Sequence, residues 1–258
     1  MVHFDVRGLR EPDAPTIILS SGLGGSAAYW GPQLGFLEER FRVVVYDHFG
    51  TNRSPGDIGE NYSITEMAGD VLEIAETLSL TSFSFMGHAL GGLVGLDIAH
   101  RFPGLIDRLI LVNAWAKADP HSGRCFDVRI ELLQKSGVAA FIKAQPLFLY
   151  PAIYMAQNAE RMDAEEAHAI ESFQGTQNIL RRISALREFN VEDRLSAITS
   201  RCLVIATKDD LLVPYERSIH LSDNLSSAEL CLIDHGGHAV NVTSPDLFND
   251  CVQRFLMR

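Results

Sequence analysis

The stretch Phe83-Ser84-Phe85-Met86-Gly87-His88-Ala89-Leu90-Gly91 decides how this chain is read. Phe83–Met86 has the composition of a short buried strand, and Leu90–His100 is apolar nearly all round, as a buried helix is. A turn with glycine at both ends joins them. Glycine there permits a tight, strained reversal that pushes the central side chain out over the edge of a sheet. That central residue is Ala89.

The same rhythm extends to either side. Thr16–Ser20 (TIILS) reads as a strand and is followed by the glycine-rich turn Ser21–Ser26. A helix then places Trp30, Leu34 and Leu37 on one face, and Phe41–Tyr46 is the next strand. Ser63-Ile64-Thr65-Glu66 has the form of a capping box, opening a helix whose Met67, Val71, Ile74 and Leu78 recur at helical spacing. Leu109–Asn113 is again a strand. Strands alternating with helices predict an α/β fold with a mostly parallel, doubly wound sheet. From about Ala116 to Leu195 helical segments run without a clear strand, broken near Leu147–Tyr150 by Pro146 and Pro151. Strands return with Cys202–Ala206 and Glu229–Ile233. Residues 1–115 and 196–258 therefore read as one sheet-bearing core, and 116–195 as an all-helical cap inserted into it, the whole forming one structural unit. Such a cap is well placed to cover a pocket at the carboxyl ends of the strands.

Composition narrows the function classes. The chain has 258 residues, 47% of them hydrophobic and 21% charged, with a net charge of −11. That acid excess argues against nucleic acid or an anionic membrane surface as partner. The amino-terminal residues MVHFDVRGLREPD and the rest of the chain hold no apolar run long enough for a signal peptide or a span, so the expected compartment is the cytoplasm. Of the cysteines Cys125, Cys202, Cys231 and Cys251, none stands at metal-ligand spacing. Cys202 and Cys231 sit in apolar runs and read as buried thiols. No Rossmann or Walker glycine pattern and no metal cluster occurs, so neither cofactor nor metal is expected. The expected partner is a small-molecule substrate, and the protein a monomer or homodimer.

Three further segments join the elbow. Asp210-Leu211-Leu212-Val213-Pro214 follows the strand Cys202–Ala206 and offers an acid at a strand's carboxyl end, with Asp209 beside it as an alternative. Gly236-Gly237-His238 follows Glu229–Ile233, where the glycines let the loop bring an imidazole close to the elbow, while His235 reads as a surface histidine. A histidine whose tautomer a carboxylate fixes can take a proton near neutral pH. Ser21-Gly22-Leu23-Gly24-Gly25 is a turn that can aim a backbone N–H at a developing oxyanion, with a second from the residue after the elbow centre; these are Leu23 and Leu90. The chain order elbow, acid, histidine is that of α/β-hydrolases. Asp47-His48-Phe49-Gly50-Thr51-Asn52-Arg53-Ser54 is similar to that family's structural Asp-x-x-Gly-x-x-x-Ser loop.

The resemblance extends to the cap. Asn113-Ala114-Trp115, Arg124-Cys125-Phe126, the run from Ala144 to Pro151, Phe173-Gln174-Gly175 and Asn178-Ile179-Leu180-Arg181-Arg182 resemble the α/β-hydrolases of the Rut pathway of uracil degradation. So do Asp209–Pro214, Gly236–Ala239 and the elbow with its alanine; the likeness runs from about Ala14 to Leu256. It implies an α/β-hydrolase fold with a helical cap after the sixth strand. It also implies a hydrolase of a small nitrogen-bearing intermediate, described as carbamate or 3-aminoacrylate.

A methyl group at the elbow cannot form an acyl-enzyme. Carbamate and aminoacrylate are both labile, and their breakdown needs proton transfer and charge stabilisation rather than a covalent nucleophile. The expected mechanism is therefore water attack beside Ala89, assisted by His238 and Asp210. Small anionic substrates also need a cation or N–H donors. Candidates for substrate binding are His88, Trp115, Arg124, Arg181 and Arg182, with Arg129 a further cap arginine and Phe148 a possible wall. Two other readings are carried forward. One is a serine esterase whose nucleophile has been replaced by Ala89; the other is a hydrolase-fold binding module without chemistry. Ser20, Ser21 and Ser84 lie off the elbow and are poor nucleophile candidates.

Overall fold

The computed structural model describes residues 1–258. Seven strands form one sheet: β1 (Phe4–Gly8), β2 (Thr16–Ser20), β3 (Arg42–Tyr46), β4 (Phe83–His88), β5 (Ile106–Val112), β6 (Arg201–Thr207) and β7 (Ala228–Ile233), in the spatial order β1-β3-β2-β4-β5-β6-β7. All neighbours pair in parallel except β1, which lies antiparallel on β3. Parallel strands need covering on both faces. Here α1 (Gly31–Glu38) belongs to one cover; α2 (Ile64–Thr77) and α3 (Leu90–Arg101) belong to the other.

Alternation along the strands sorts the core into two layers. Ile18, Val44, Phe85, Leu109 and Leu111 face α2 and α3; Ile17, Leu19, Val43, Val45, Met86 and Ile110 face the side of Trp30 and Leu37. The Ser63–Glu66 capping box forms in full, with the Ser63 hydroxyl accepting from the Glu66 N–H and the Glu66 carboxylate accepting from the Ser63 N–H.

After β5 come α4 (Pro120–Glu131), α5 (Val138–Leu149), α6 (Ala152–Gln157), α7 (Ala159–Glu171) and α8 (Thr176–Glu188), with no strand among them. An isolated bridge between Lys117 and Asn190 draws the two ends of this segment together. The chain then enters β6, followed by α9 (Glu216–Asn224), β7, α10 (Val240–Thr243) and α11 (Pro245–Leu256). α11 packs on the Trp30 side of the sheet. No helix is long and apolar enough to cross a membrane.

Four expectations are corrected. The helical segment follows the fifth strand, not the sixth. Only β1 precedes Thr16, and the seven residues between them carry Pro12 and Pro15, leaving no room for a second leading strand. β1 itself went unread, although Phe4 and Val6 alternate with Asp5 and Arg7 as an edge strand's residues do. Pro146 lies inside α5, so the break falls at Tyr150-Pro151. Cys231 is not a free thiol but is joined to Cys251 in a disulfide. β7 is the edge strand, so Cys231 is half-covered and faces α11, where Cys251 stands, whereas Cys202 on the interior strand β6 remains a buried thiol.

Candidate active site

The parallel strands end in register. Ser20 pairs with Gly87, His88 with Val112, Val112 with Ile205 and Thr207 with Ile233. The loops that follow these residues therefore open at one edge of the sheet. This is where an open α/β sheet gathers its functional groups.

The elbow sits between β4 and α3. Ala89 has φ +47° and ψ −112°, a conformation in which a residue with a side chain is strained. The flanking glycines make it possible. A Cβ on Gly87 would lie 2.3 Å from the carbonyl oxygen of Gly91, and one on Gly91 would lie 2.2 Å from that of Ser20. Only two hydrogens on each Cα allow α3 to start so close to the sheet. The Ala89 N–H donates to the carbonyl of Val112 at 2.8 Å, which ties the elbow to β5.

The acid and the histidine meet as expected. His238 Nδ1 lies 2.7 Å from Asp210 Oδ2, with side-chain exposures of 2% and 1%. The other carboxylate oxygen of Asp210 accepts from the N–H groups of Leu212 (2.8 Å) and Val213 (2.9 Å). The carboxylate is thus held by donors on both oxygens. Nδ1 carries the proton it gives to Asp210, which leaves Nε2 as a base without a protein partner. Asp209 has a different task. It accepts from the N–H groups of Gly236 and Gly237 at 3.0 and 2.9 Å and so fixes the turn that carries His238.

A cavity of about 440 Å³ lies between this edge of the sheet and the helices α4–α8. Its walls include Leu23, His88, Ala89, Leu90, Trp115 and His238. The Leu23 N–H has no acceptor in the protein, and the Leu90 N–H, first in α3, has none one turn back in its own helix. His88 points its Nε2–H at the carbonyl of His238 (2.8 Å), and its ring packs edge-on against that of His238 with centroids 4.6 Å apart. Burial, and next the neighbouring His238, push His88 well below the usual imidazole range, so it stays neutral. Ser21 also lines the cavity, but no hydrogen bond joins it to His238; Ser20 is bonded to Tyr46, and Ser84 to Asp107.

The cap arginines divide sharply. Arg124 is exposed on α4 and lines no part of the cavity. Arg181 donates to the carbonyl of Ile58 and leans toward Glu60, outside the cavity. Arg182 is fully buried, but its guanidinium is spent on Gln174 and on the carbonyl of Phe49, with a longer contact of 3.5 Å to that of Leu23. It positions the Leu23 loop instead of facing a ligand. Those three are thus corrected as substrate contacts: charge in a sequence does not say which way a guanidinium turns. Arg129 does line the cavity and is 4% exposed. Phe148 is not among the wall residues but packs over the Arg129 guanidinium.

The geometry can be set beside known proteins. The α/β-hydrolase fold family matches residues 15–245. A protein of Rhizobium rhizogenes (strain K84) named "Putative carbamate hydrolase RutD" is 63% identical over 99% of this chain and 97% of its own length. One of the same name from Agrobacterium fabrum (strain C58) is 60% identical over 99% and 98%. This chain belongs to the RutD family of α/β-hydrolases. The crystal structure of the enol-lactonase from Burkholderia xenovorans LB400 superposes with a TM-score of 0.90 at 26% identity, covering 100% of this chain and 96% of that one.

Several residues of this RutD-family site were not singled out from sequence for what they do. Asn113, at φ +46° just beyond β5, donates from Nδ2 to the carbonyl of His238 (2.7 Å) and accepts at Oδ1 from the Thr207 N–H (3.2 Å). It locks the histidine loop to β6. A polar residue closing an apolar strand was the available signal. Gln145, Tyr150, Arg161 and Glu165 also line the cavity, the last three joined through hydrogen bonds to Glu165. Arg161 and Glu165 stand at i,i+4 spacing on α7, a local signal, whereas the fifteen-residue separation of Tyr150 and Glu165 leaves no such mark. The His238 loop also touches α5 directly, since the Ala239 N–H donates to the carbonyl of Leu149 at 3.0 Å.

Proposed function

We propose that this protein is a carbon–nitrogen hydrolase of uracil breakdown that acts on carbamate or 3-aminoacrylate without a covalent nucleophile. The names of its relatives support carbamate; the motifs of elbow and cap support the pathway. The single observation that carries the mechanism is the buried His238–Asp210 pair beside an elbow that bears only a methyl group.

The chemistry follows from the atoms available. In aminoacrylate the imine tautomer carries the reacting carbon. His238 Nε2 removes a proton from water as the water oxygen bonds to that carbon, and the C=N electron pair moves to nitrogen. The proton then passes from the imidazolium to nitrogen, giving a carbinolamine. His238 next moves the hydroxyl proton to nitrogen, the C–N bond breaks with its electron pair going to nitrogen, and ammonia leaves as the oxygen becomes a carbonyl. The Leu23 and Leu90 N–H groups stabilise charge on that oxygen. With carbamate the protonated His238 delivers a proton to nitrogen, and C–N cleavage gives ammonia and carbon dioxide. A positioned acid–base group contributes about 10²–10⁴-fold, which suffices for compounds that already decay in water. Catalytic roles go to His238 and Asp210, with Leu23 and Leu90 as the oxyanion donors; the helices α4–α8 act as a cap over them.

A cavity of about 440 Å³ admits either compound, with its four or six heavy atoms, and leaves room for the attacking water. The test is ammonia release from each compound, measured against its uncatalysed decay. Acceleration of one and not the other assigns the substrate; acceleration of neither overturns the proposal.

A further inference from the structure

We propose that Arg129 is the seat of the substrate's carboxylate, an assignment that rests on the hydrolase reading above and names the class of compound that reading admits. Arg129 projects from α4 on the face shared by Ser122, Cys125 and Phe126 and is 4% exposed. No carboxylate lies within 4.0 Å of it, in contrast to the surface arginines 53, 101, 161 and 187. Its only hydrogen bond goes to Gln145 Oε1, and its Nε–H is buried without an acceptor. The rings of Phe126, Phe141 and Phe148 surround the guanidinium, with centroids 5.3, 5.8 and 5.6 Å from Cζ.

This is an unusual way to treat a cation. A guanidinium has five N–H donors in a planar fork, and burying one without an anion is costly unless something else satisfies it. The other deeply buried arginine, Arg182, likewise leaves its Nε–H unpaired, but its terminal nitrogens are met by Gln174 and by the carbonyls of Phe49 and Leu23. Arg129 instead keeps its donors for something the protein does not supply. Its side chain lines the cavity that holds Ala89 and His238, and it also borders a second cavity of about 250 Å³ lined by Thr51, His168 and Gln174. The aromatic cage holds the fork still and excludes water, which strengthens a charge-assisted bond to an anion. Trp115 adds another buried N–H without an acceptor in the same wall.

A seat of this kind accepts a planar carboxylate, two oxygens to one fork. Because Arg129 stands where the two cavities meet, and the second is lined by neither Ala89 nor His238, it suits an acid whose carboxylate and reacting carbon are different groups. Short-chain β-imino or β-amino acids of three to four carbons are of that class; a neutral ester or amide is not.

The test uses propanoate and its uncharged isostere propanamide, neither of which can be hydrolysed by the proposed route in the time of a titration. Binding is followed by ligand-observed NMR on the full chain. The wild type is expected to bind propanoate at least tenfold more tightly than propanamide. Arg129→Gln should abolish that preference while leaving propanamide binding unchanged, and Arg129→Lys should retain part of it. Equal binding of both ligands by the wild type, or a preference that survives in Arg129→Gln, overturns the assignment. Should Arg129→Gln not fold, the wild-type comparison and Arg129→Lys still decide it. Ammonia release by the wild type is read separately, so a failed seat and a failed hydrolase are told apart.

Discussion

Nδ1 of His238 and Oδ2 of Asp210 stand 2.7 Å apart with both side chains closed to solvent, and the rest of the carboxylate is held by the N–H groups of Leu212 and Val213. A pair built this way fixes a ring rather than merely neutralising a charge. His238→Ala should lower the rate of ammonia release by about 10²–10⁴, with the substrate's KM little changed. Asp210→Asn keeps an acceptor for both backbone N–H groups but no longer dictates the imidazole tautomer, so it should fall in the same range. Activity within threefold of wild type in either variant would remove the proposed base.

Asn113 supplies the carbonyl of His238 with its closest side-chain donor and the Thr207 N–H with its acceptor. Asn113→Ala leaves the Thr207 N–H unpaired, removes one of the two donors to the His238 carbonyl (His88 Nε2 remains) and places a methyl-bearing residue at φ +46° where asparagine is better tolerated. We expect a loss of about 1–3 kcal/mol in stability, from the one buried donor left unsatisfied. Chemical denaturation measures it. The histidine loop loosens with it, so kcat should drop more than KM rises.

Two glycines make opposite predictions. At Gly87 a Cβ would stand 2.3 Å from one backbone oxygen and 2.5 Å from the backbone nitrogen of Gly92, and neither can move without dismantling the elbow. Gly87→Ala should cost more than about 4 kcal/mol, enough to remove most of the folded protein. Gly69, inside α2, has nothing within 4 Å of where a Cβ would be. Gly69→Ala should stabilise by about 0.5–1 kcal/mol through helix propensity alone. Thermal melts of the two variants provide the check.

These contrasts show what could be read from the sequence. The elbow, the Asp210–His238 pair and the capping box depend on local chemistry at fixed spacing, and the structure forms each of them. Asp209 and Asp210 are adjacent and chemically alike, and only the fold gives one to the His238 ring and the other to the Gly236-Gly237 turn. The arginines fail for a related reason. Arg129 lies on the apolar face of its helix with Phe126 and Cys125, while Arg124 lies off it, so helical spacing held the distinction. Arg182 also lies on a buried face, and what separates it from Arg129 is the set of carbonyls brought to it from residues over 130 positions away, which no local pattern encodes. The Cys231–Cys251 bridge depends in the same way on β7 being the edge strand.

Asp70 provides a pH dependence. Burial, and then the neighbouring Glu73, raise its carboxyl from 3.8 to about 6. A carboxyl whose folded value exceeds its unfolded one favours the folded state most when protonated. Stability is therefore highest below pH 4 as far as this group is concerned and falls as the pH rises from about 4 through 6. Asp70→Asn removes the penalty. Discounted for partial exposure, the gain should be on the order of 1–2 kcal/mol at pH 7.5 and should vanish near pH 4. Melting temperatures of the variant and wild type at the two pH values test the sign, and an equal difference at both would contradict it.

Ala89→Ser asks what the missing hydroxyl means. The variant side chain would project from the same strained position, φ +47°, ψ −112°, into the cavity lined by His238, Leu23 and Leu90. If the surrounding groups are those of an acyl-transfer site, a serine there becomes a nucleophile. Against 4-nitrophenyl acetate the variant should then show a burst of one equivalent of nitrophenol, at a rate at least about 10²-fold above wild type, since a competent base alone supplies that much. At the same time the hydroxyl occupies space that the attacking water needs, so ammonia release should decrease. Gain of ester cleavage with loss of ammonia release is the outcome expected of a site shaped for water. Gain of ester cleavage in a protein whose wild type releases no ammonia would instead identify an esterase whose nucleophile had been replaced. A variant inert toward the ester would show that the oxyanion donors are misplaced.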